Sequence, residues 1–223
     1  MGFSIPINNV KKAVDDFIEQ GMVEYGWLGV SIISIDESIA EGLNLDNTDG
    51  ALINSVYQNS PAGRSALRPG DFITGINGLE IDSSDALVRE VGDLIAGETA
   101  EFQLIRNGSE INVEVEITSR DTEEEIAGQS RDLFPGFSVY PLTDEIQEQI
   151  EGASDLQGVI VSQVIPRTPS AIAGLSAGDI VTAVNGADIS DLVEFYEALG
   201  QSDDETEISY WREGVELKVT IVK

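Results

Sequence analysis

The strongest constraint on the fold is an internal repeat with an offset of 108 residues. The segment Gly50–Val56 (GALINSV) is echoed by Gly158–Val164 (GVIVSQV), and Ser60-Pro61-Ala62 is echoed by Thr168-Pro169-Ser170. A period this long lies far above the roughly 20–50 residues of solenoid repeats. The chain therefore predicts two copies of one domain of about 95 residues.

The repeat also predicts the domain boundaries. Residues 1–22 precede the first copy, which covers about 24–118, and the second copy covers 131–223. The intervening stretch 119–130 is polar and acidic, which is typical of a linker. We refer to the two copies below as domain 1 and domain 2.

Both copies show the same order of predicted elements. Apolar and alternating runs predict strands, and a Ser or Thr before Pro or an acidic residue predicts a helix start. Asn107-Gly108 is typical of a tight hairpin. The predicted strands are 28–35, 51–57, 72–76, 99–106 and 110–117 in domain 1, and 137–142, 159–165, 180–184, 206–212 and 215–222 in domain 2. The predicted helices begin at Ser60 and run over 83–96 in domain 1; in domain 2 they begin at Thr168 and run over 191–199.

These elements predict an α+β, mainly β, fold class. Each copy is expected to form a small, partly open β-barrel with two helices, and a short helical segment is expected to precede them.

Composition excludes several classes of function. The 223 residues contain no His and no Cys, so a Ser-His-Asp triad, a thiol nucleophile and His- or Cys-ligated metal sites are excluded within this chain. With 12 basic and 41 acidic residues, the formal net charge is −29. Nucleic-acid binding needs a basic surface, so no nucleic-acid partner is expected. No apolar run approaches the length of a membrane span, and no signal peptide is visible.

The ordered motifs resemble PDZ domains in the circularly permuted bacterial arrangement. Domain 1 carries Gly26-Trp27-Leu28-Gly29-Val30, Ser60-Pro61-Ala62 and Arg68-Pro69-Gly70-Asp71. Domain 2 carries Phe134-Pro135-Gly136-Phe137 and Gly178-Asp179 at matching places. Tandem PDZ domains, together with the segment Gly2-Phe3-Ser4-Ile5-Pro6, resemble the HtrA (DegP/DegQ) family of serine proteases. On this resemblance, residues 1–22 are a remnant of the protease domain, and the catalytic part is absent.

The resemblance implies a peptide groove in each copy. A PDZ groove binds a peptide as an added strand, and a nest of backbone N–H groups holds the terminal carboxylate. Gly29 and Gly136 are the implied nest glycines, because a Cβ there would block the close approach of backbone to ligand. The candidate binding residues are Leu28, Gly29, Val30, Ile32, Leu87 and Val91 in domain 1, and Gly136, Phe137, Val139, Leu192, Phe195 and Leu199 in domain 2.

The two grooves are not expected to be equal. Pro135 has no N–H to offer to a carboxylate, so domain 2 should bind peptides more weakly or differently than domain 1. The helix residues of both grooves are apolar, and their spacing alone leaves open whether they line a pocket or belong to the core.

The expected function is substrate recognition and regulation for an HtrA-like serine endopeptidase in protein quality control. The implied partners are unfolded or misfolded proteins, hydrophobic C-termini or extended segments, the protease domain itself and further copies in a homo-oligomer. Neither catalysis by this chain nor a cofactor or metal is expected. The family implies a periplasmic or otherwise extracytoplasmic location. A non-proteolytic PDZ scaffold with one fixed partner, and a PDZ segment of another protease type, are the alternatives.

Overall fold

The structure is a computed structural model that describes residues 25–120, 126 and 129–223. The predicted protease remnant at 1–22 lies outside the described residues, as does most of the predicted linker. Each copy forms its own antiparallel sheet, and neither sheet closes into a barrel. The α+β, mainly β, class is therefore confirmed, with open sheets.

Domain 1 follows the predicted strand order closely. Its elements are β1 (Gly26–Trp27), β2 (Val30–Ile33), α1 (Glu37–Gly42), β3 (Ala51–Tyr57), α2 (Pro61–Arg64), β4 (Phe72–Ile76), β5 (Leu79–Glu80), α3 (Ser84–Asp93), β6 (Thr99–Arg106), β7 (Ser109–Glu116) and β8 (Thr118–Ser119).

Domain 2 repeats this series after a 3₁₀ turn at Gln129–Asp132. Its elements are β9 (Leu133–Phe134), β10 (Phe137–Pro141), α4 (Asp144–Gln149), β11 (Val159–Val164), α5 (Pro169–Ala173), β12 (Ile180–Val184), β13 (Ala187–Asp188), α6 (Leu192–Gly200), β14 (Glu205–Arg212) and β15 (Val215–Val222).

The two sheets have equivalent topologies. The order is β2-β3-β4-β6-β7 in domain 1 and β10-β11-β12-β14-β15 in domain 2, with β5 and β13 as short additions. β2 and β10 thus lie at corresponding edges, and each pairs with only one strand of its sheet in the described structure. An edge strand leaves a row of backbone N–H and C=O groups free to pair with another chain.

Capping side chains fix where the helices begin. The Oγ of Ser83 accepts a hydrogen bond from the Ala86 N–H at the start of α3, as its position in the sequence predicts. Asp36 and Thr143 cap α1 and α4 in the same way. These two six-residue helices were not predicted, because one and a half turns give too short a pattern to recognise. None of the described helices is long and apolar enough to cross a membrane.

Buried apolar side chains form two clusters, and one of them joins the domains. The first cluster lies within domain 1, between its sheet and α3. The second combines most of the buried apolar residues of domain 2 with residues from the opposite face of domain 1. The domain 1 members of that joint cluster are Ile35, Ile39, Ala40, Leu43, Leu52 and Phe72.

Strand β3 lies between the two clusters. Ile53 packs in the domain 1 core, whereas Leu52 packs in the joint cluster. The start of β3 pairs with β4, and its end pairs with β9 of domain 2 through Val56↔Phe134 and Tyr57↔Leu133. Since β3 is also the only described partner of β2, one strand connects the sheet edge of domain 1 with domain 2.

Candidate functional site

A cleft of about 590 Å³ lies along the edge of domain 1. One wall is β2 and the other is α3, and the segment that contains β1 and Gly29 closes one end. The cleft has the location of the predicted groove. It brings together all six residues predicted for domain 1, namely Leu28, Gly29, Val30, Ile32, Leu87 and Val91.

The backbone at Gly29 is held so that its N–H groups can face the cleft. The Leu28 carbonyl accepts a hydrogen bond from the Ala62 N–H at 2.9 Å. The Gly29 carbonyl accepts from the Tyr57 N–H at 2.9 Å and from the Ser60 hydroxyl at 3.1 Å. In a planar trans peptide the N–H points opposite to the C=O. The two inward carbonyls therefore turn the N–H groups of Gly29 and Val30 away from the protein interior.

Gly29 is required at this position for two physical reasons. Its φ is +80°, a conformation that residues with a Cβ rarely adopt. A Cβ would also lie only 2.0 Å from the Cβ of Ser60. Ser60 is fully buried and caps α2 by accepting the Gly63 N–H, so it cannot move aside cheaply.

The edge of β2 beyond Gly29 is available for strand pairing. The Tyr57 N–H donates to the Gly29 carbonyl, and Val30 lies opposite Val56. Since backbone groups alternate in direction along a strand, Val30 directs its own N–H and C=O away from β3. The side chains of Val30 and Ile32 are half-buried and pack against the domain 1 core from the cleft side. This edge can therefore accept an extended peptide, and its side chains can contact every second residue.

The helix wall contains a residue that the sequence pattern did not single out. Leu87 is only 1% exposed and lies mainly in the core, whereas Val88 is 57% exposed and lines the cleft. Gly92, four residues after Val88, lines the same face of α3. An apolar residue on the otherwise polar face of an amphipathic helix was the signal that could have identified Val88.

Aromatic and basic side chains surround the closed end of the cleft. The rings of Trp27 and Tyr57 lie 5.9 Å apart, and burial raises the pKa of the Tyr57 hydroxyl. Arg89, Arg120 and Asp93 also line the cleft. In a chain with a net charge of −29, two guanidinium groups against one carboxylate leave this cleft with a net positive lining, which suits a peptide carboxylate.

The corresponding nest of domain 2 is covered by domain 1. Gly136 has a φ of +78°, and its carbonyl accepts hydrogen bonds from Ile165 and Thr168, as that of Gly29 does from the equivalent residues. Its N–H, however, donates to the Oγ of Ser55 in β3 at 3.1 Å. The N–H group equivalent to that of Gly29 is therefore occupied, and Pro135, which precedes it, has no N–H to offer.

The channel that continues from this nest is filled as well. Helix α1 of domain 1 packs against both β10 and α6, which are the two walls of the domain 2 channel. A Cβ on Gly42 would lie 3.1 Å from Leu192 and 3.2 Å from Pro141, and the Tyr140 hydroxyl donates to Asp36 at 2.9 Å. The residues predicted to bind peptide here all belong to the buried joint cluster: Phe137, Val139, Leu192, Phe195 and Leu199.

A buried ion pair supports the turn before the third long strand of each domain. Asp71 is fully buried and accepts from the Nε and Nη2 of Arg106 at 2.5 and 2.7 Å. Burial raises the pKa of the Asp71 carboxyl, while Arg106 and the Arg68 amide act to lower it. Asp179 and Arg212 repeat the pair in domain 2, and the hydrogen bond to Asp179 raises the pKa of Arg212. None of these four residues lines the cleft.

Comparison with known proteins identifies the fold family. The profile of the PDZ domain family matches residues 26–117 and 136–222, which is most of the chain. The chain therefore belongs to the PDZ domain family, with one match in each of the two copies.

Several curated relatives of the chain are named as DegP or DegP-like serine endoproteases. The chain is 34% identical over 206 residues to a probable periplasmic serine endoprotease, DegP-like, of Hahella chejuensis. It is 30% identical over its full length to the protein of the same description from Chlamydia trachomatis, and 29% identical over 199 residues to the periplasmic serine endoprotease DegP of Escherichia coli K12. These matches cover 89%, 100% and 89% of this chain but only 43%, 44% and 40% of the relatives.

A solved structure of the HtrA-type protease AlgW with a decapeptide is also similar. It is 32% identical, with a TM-score of 0.47, and the match covers 54% of this chain and 37% of AlgW. The curated relatives named above are DegP or DegP-like serine endoproteases, and the chain spans less than half of their length.

Proposed function

We propose that this chain is the peptide-recognition module of an HtrA-like serine endopeptidase, and that domain 1 alone carries the binding groove. It captures hydrophobic C-termini of unfolded or misfolded proteins by adding them as a strand to β2. The observation that carries the proposal is the conformation of Gly29, whose neighbouring N–H groups face an open apolar cleft beside a free strand edge.

The chemistry of the cleft supports a hydrophobic C-terminal residue. The nest supplies N–H donors for a carboxylate, and the charged side chains of the cleft lining, Arg89, Arg120 and Asp93, sum to a net positive charge. Beyond the nest, the lining is formed mainly by apolar side chains such as Val30 and Val88. A terminal carboxylate followed inward by an apolar side chain matches this arrangement, and we expect a micromolar dissociation constant for a short peptide.

Domain 2 has a different role in this proposal. Its nest donates to Ser55 and its channel holds α1, so the residues that the sequence predicts for peptide binding contact domain 1 instead. Domain 2 then stabilises the groove-bearing domain and does not capture a second peptide.

The wider context of the module follows from its relatives. Curated relatives of the chain are named periplasmic serine endoproteases, which supports a periplasmic location and a protease domain as the functional partner. In that setting the module passes captured substrates to the protease domain, activates it and helps to hold an oligomer together.

The test is a titration with a peptide of hydrophobic C-terminal sequence, prepared both as the free acid and as the C-terminal amide. Calorimetry gives the stoichiometry, and tryptophan fluorescence reports the site. Trp27 lines the cleft, whereas Trp211 lies on β14 of domain 2, so a Trp27→Phe variant assigns the signal. We expect one peptide per chain, binding of the acid only, and loss of the fluorescence change in Trp27→Phe.

Other outcomes would overturn specific parts of the proposal. Equal binding of acid and amide would show that the nest is not used. Two peptides per chain would show that domain 2 opens and binds. If neither form binds, the chain is better explained as a scaffold with one fixed partner protein.

A further inference from the structure

Two serine side chains meet at the end of the cleft that lies opposite the Gly29 nest. Ser34 directly follows β2, and Ser84 is the first residue of α3. Their Oγ atoms form a hydrogen bond of 2.7 Å, in which either hydroxyl can be the donor. We propose that this bridge ends the groove, so that the module reads only about the last three residues of a free C-terminus.

The position of the bridge makes it an obstacle to a longer peptide. β2 and α3 are the two walls between which an added strand must lie. A strand lies about 4.8 Å from its neighbour, so a peptide backbone cannot pass between two side chains whose oxygen atoms are in direct contact. Any peptide that continues beyond this point must break the bridge or turn out of the groove.

The extent of the cleft agrees with this limit. Along β2 the cleft lining reaches Ile32, and along α3 it reaches back only to Leu87. Neither Ser34 nor Ser84 contributes to the lining. The open edge of β2 is four residues long, or roughly 13 Å, which accommodates about three paired residues of a peptide next to the nest.

The nest loop and the bridge restrict a substrate in different ways. An internal extended segment must leave the groove at both ends, so the closed nest loop excludes it whether or not the bridge is intact. A frayed C-terminus places its carboxylate at the nest, and the bridge then limits how many of its residues pair with β2 before the chain turns out of the groove.

The hydrogen bond between Ser34 and Ser84 is solvent-exposed, so breaking it costs little free energy. Ser34 is exposed and both hydroxyls reach water, so the loss of their hydrogen bond is largely compensated by solvent. Replacement of either serine by alanine should open this end without loss of the fold, since α3 keeps its Ser83 cap.

This inference rests on the proposed function. The experiment therefore uses peptides and variants that distinguish failure of the bridge from failure of the proposed function itself. The peptides are a tripeptide, an octapeptide ending in the same three residues, and the same octapeptide as its amide. Each is titrated into the wild-type chain and into Ser34→Ala, Ser84→Ala and the double variant. Ser31→Ala is the matched control, because it makes the same change on β2 outside the cleft lining.

For the wild-type chain and Ser31→Ala we expect the tripeptide and octapeptide acids to bind within about threefold of each other, because residues beyond the bridge make no contact. In the bridge variants the octapeptide should gain about fivefold, which is the size of one modest hydrogen bond, while the tripeptide is unchanged.

A wild-type octapeptide that binds more than about tenfold tighter than the tripeptide would overturn the bridge as the end of the groove, as would unchanged length dependence in the double variant. Both results leave the proposed function intact. If no free-acid peptide binds to any variant, the proposed function itself fails.

Discussion

At the scale of single residues, the same glycine conformation occurs in two very different environments. Gly29 and Gly78 have φ values of +80° and +79°. A Cβ on Gly78 would meet no atom within 4 Å, whereas a Cβ on Gly29 would collide with Ser60. Alanine substitutions at these two glycines therefore separate two contributions to the loss of stability. One is the strain of a positive φ, and the other is the collision of a Cβ with Ser60.

We expect Gly78→Ala to lower the free energy of unfolding by about 1 kcal/mol, which is the conformational cost of a left-handed residue with a Cβ. Gly29→Ala should cost at least about 2 kcal/mol more, because Ser60 must also move, and should abolish binding of a free-acid peptide. Denaturant unfolding and calorimetry measure both effects. Equal destabilisation by the two changes would show that the contact between Gly29 and Ser60 is not tight.

The duplicated ion pair leads to a second prediction at this scale. Arg106→Gln leaves the fully buried Asp71 carboxylate without its main partner, and because Arg106 is itself 20% exposed we expect a loss of about 2–3 kcal/mol of stability. Lys218→Gln removes an exposed pair with Glu207, so it should leave the unfolding midpoint unchanged. Comparable midpoints for the two variants would contradict a structural role for Arg106.

At the scale of elements, the strands could be predicted well because each copy repeats the same pattern. The predicted bounds 51–57, 72–76, 99–106, 180–184 and 215–222 agree with the structure, and the other predicted strands differ by only one or two residues at either end. The predicted cleft residues of domain 1 also come together. The face of α3 was harder to predict, because Leu87 and Val88 are both apolar and only the packed structure shows which one is buried.

This difference between neighbours on α3 gives a third prediction. Leu87→Ala should cost about 2–5 kcal/mol of stability, because it leaves a cavity in the domain 1 core. Val88→Ala should leave stability nearly unchanged and weaken peptide binding several-fold, since its exposed side chain lines the cleft. Thermal unfolding and peptide titration of both variants are the measurements.

Ile95→Ala is the control for Val88→Ala. Ile95 is about as exposed as Val88 but does not line the cleft, so its replacement should not affect peptide binding. Equal loss of affinity in Val88→Ala and Ile95→Ala would show that Val88 does not contact the peptide.

At the scale of the whole molecule, the two domains contact each other through packing and hydrogen bonds that the repeat pattern in the sequence could not predict. A repeat indicates what the copies have in common, whereas the contact between them depends on the residues in which they differ, such as Ser55 and Pro135. One sequence feature did indicate contact on both faces of β3. Its sequence (ALINSVY) lacks the alternation of apolar and polar residues that is typical of a strand with one solvent-exposed face, and the strand is buried along nearly its whole length.

The fourth prediction concerns a larger side chain at Gly42, where α1 packs against domain 2. Gly42→Gln places a side chain where Leu192 and Pro141 already lie within about 3.2 Å of the Cβ position, so the domains should separate. We expect domain 2 to unfold at a lower temperature and in a separate transition, and proteolysis between the domains to become faster.

Glu41→Gln is the matched control, because it introduces the same residue at the exposed neighbouring position of α1. It should unfold like the wild-type chain. If Gly42→Gln also unfolds in a single unchanged transition, the packing of α1 in the domain 2 channel does not stabilise the molecule.

The bond from Gly136 to Ser55 also has a consequence for the history of the chain. After a duplication, both copies inherit the same loop, and natural selection then acts on each loop separately. On the proposed function, the loop around Gly29 is selected for binding the C-termini of substrates. The loop around Gly136 is instead matched to the surface of its sister domain, so changes at Ser55, Gly42 and the facing residues of domain 2 should be inherited together in related sequences.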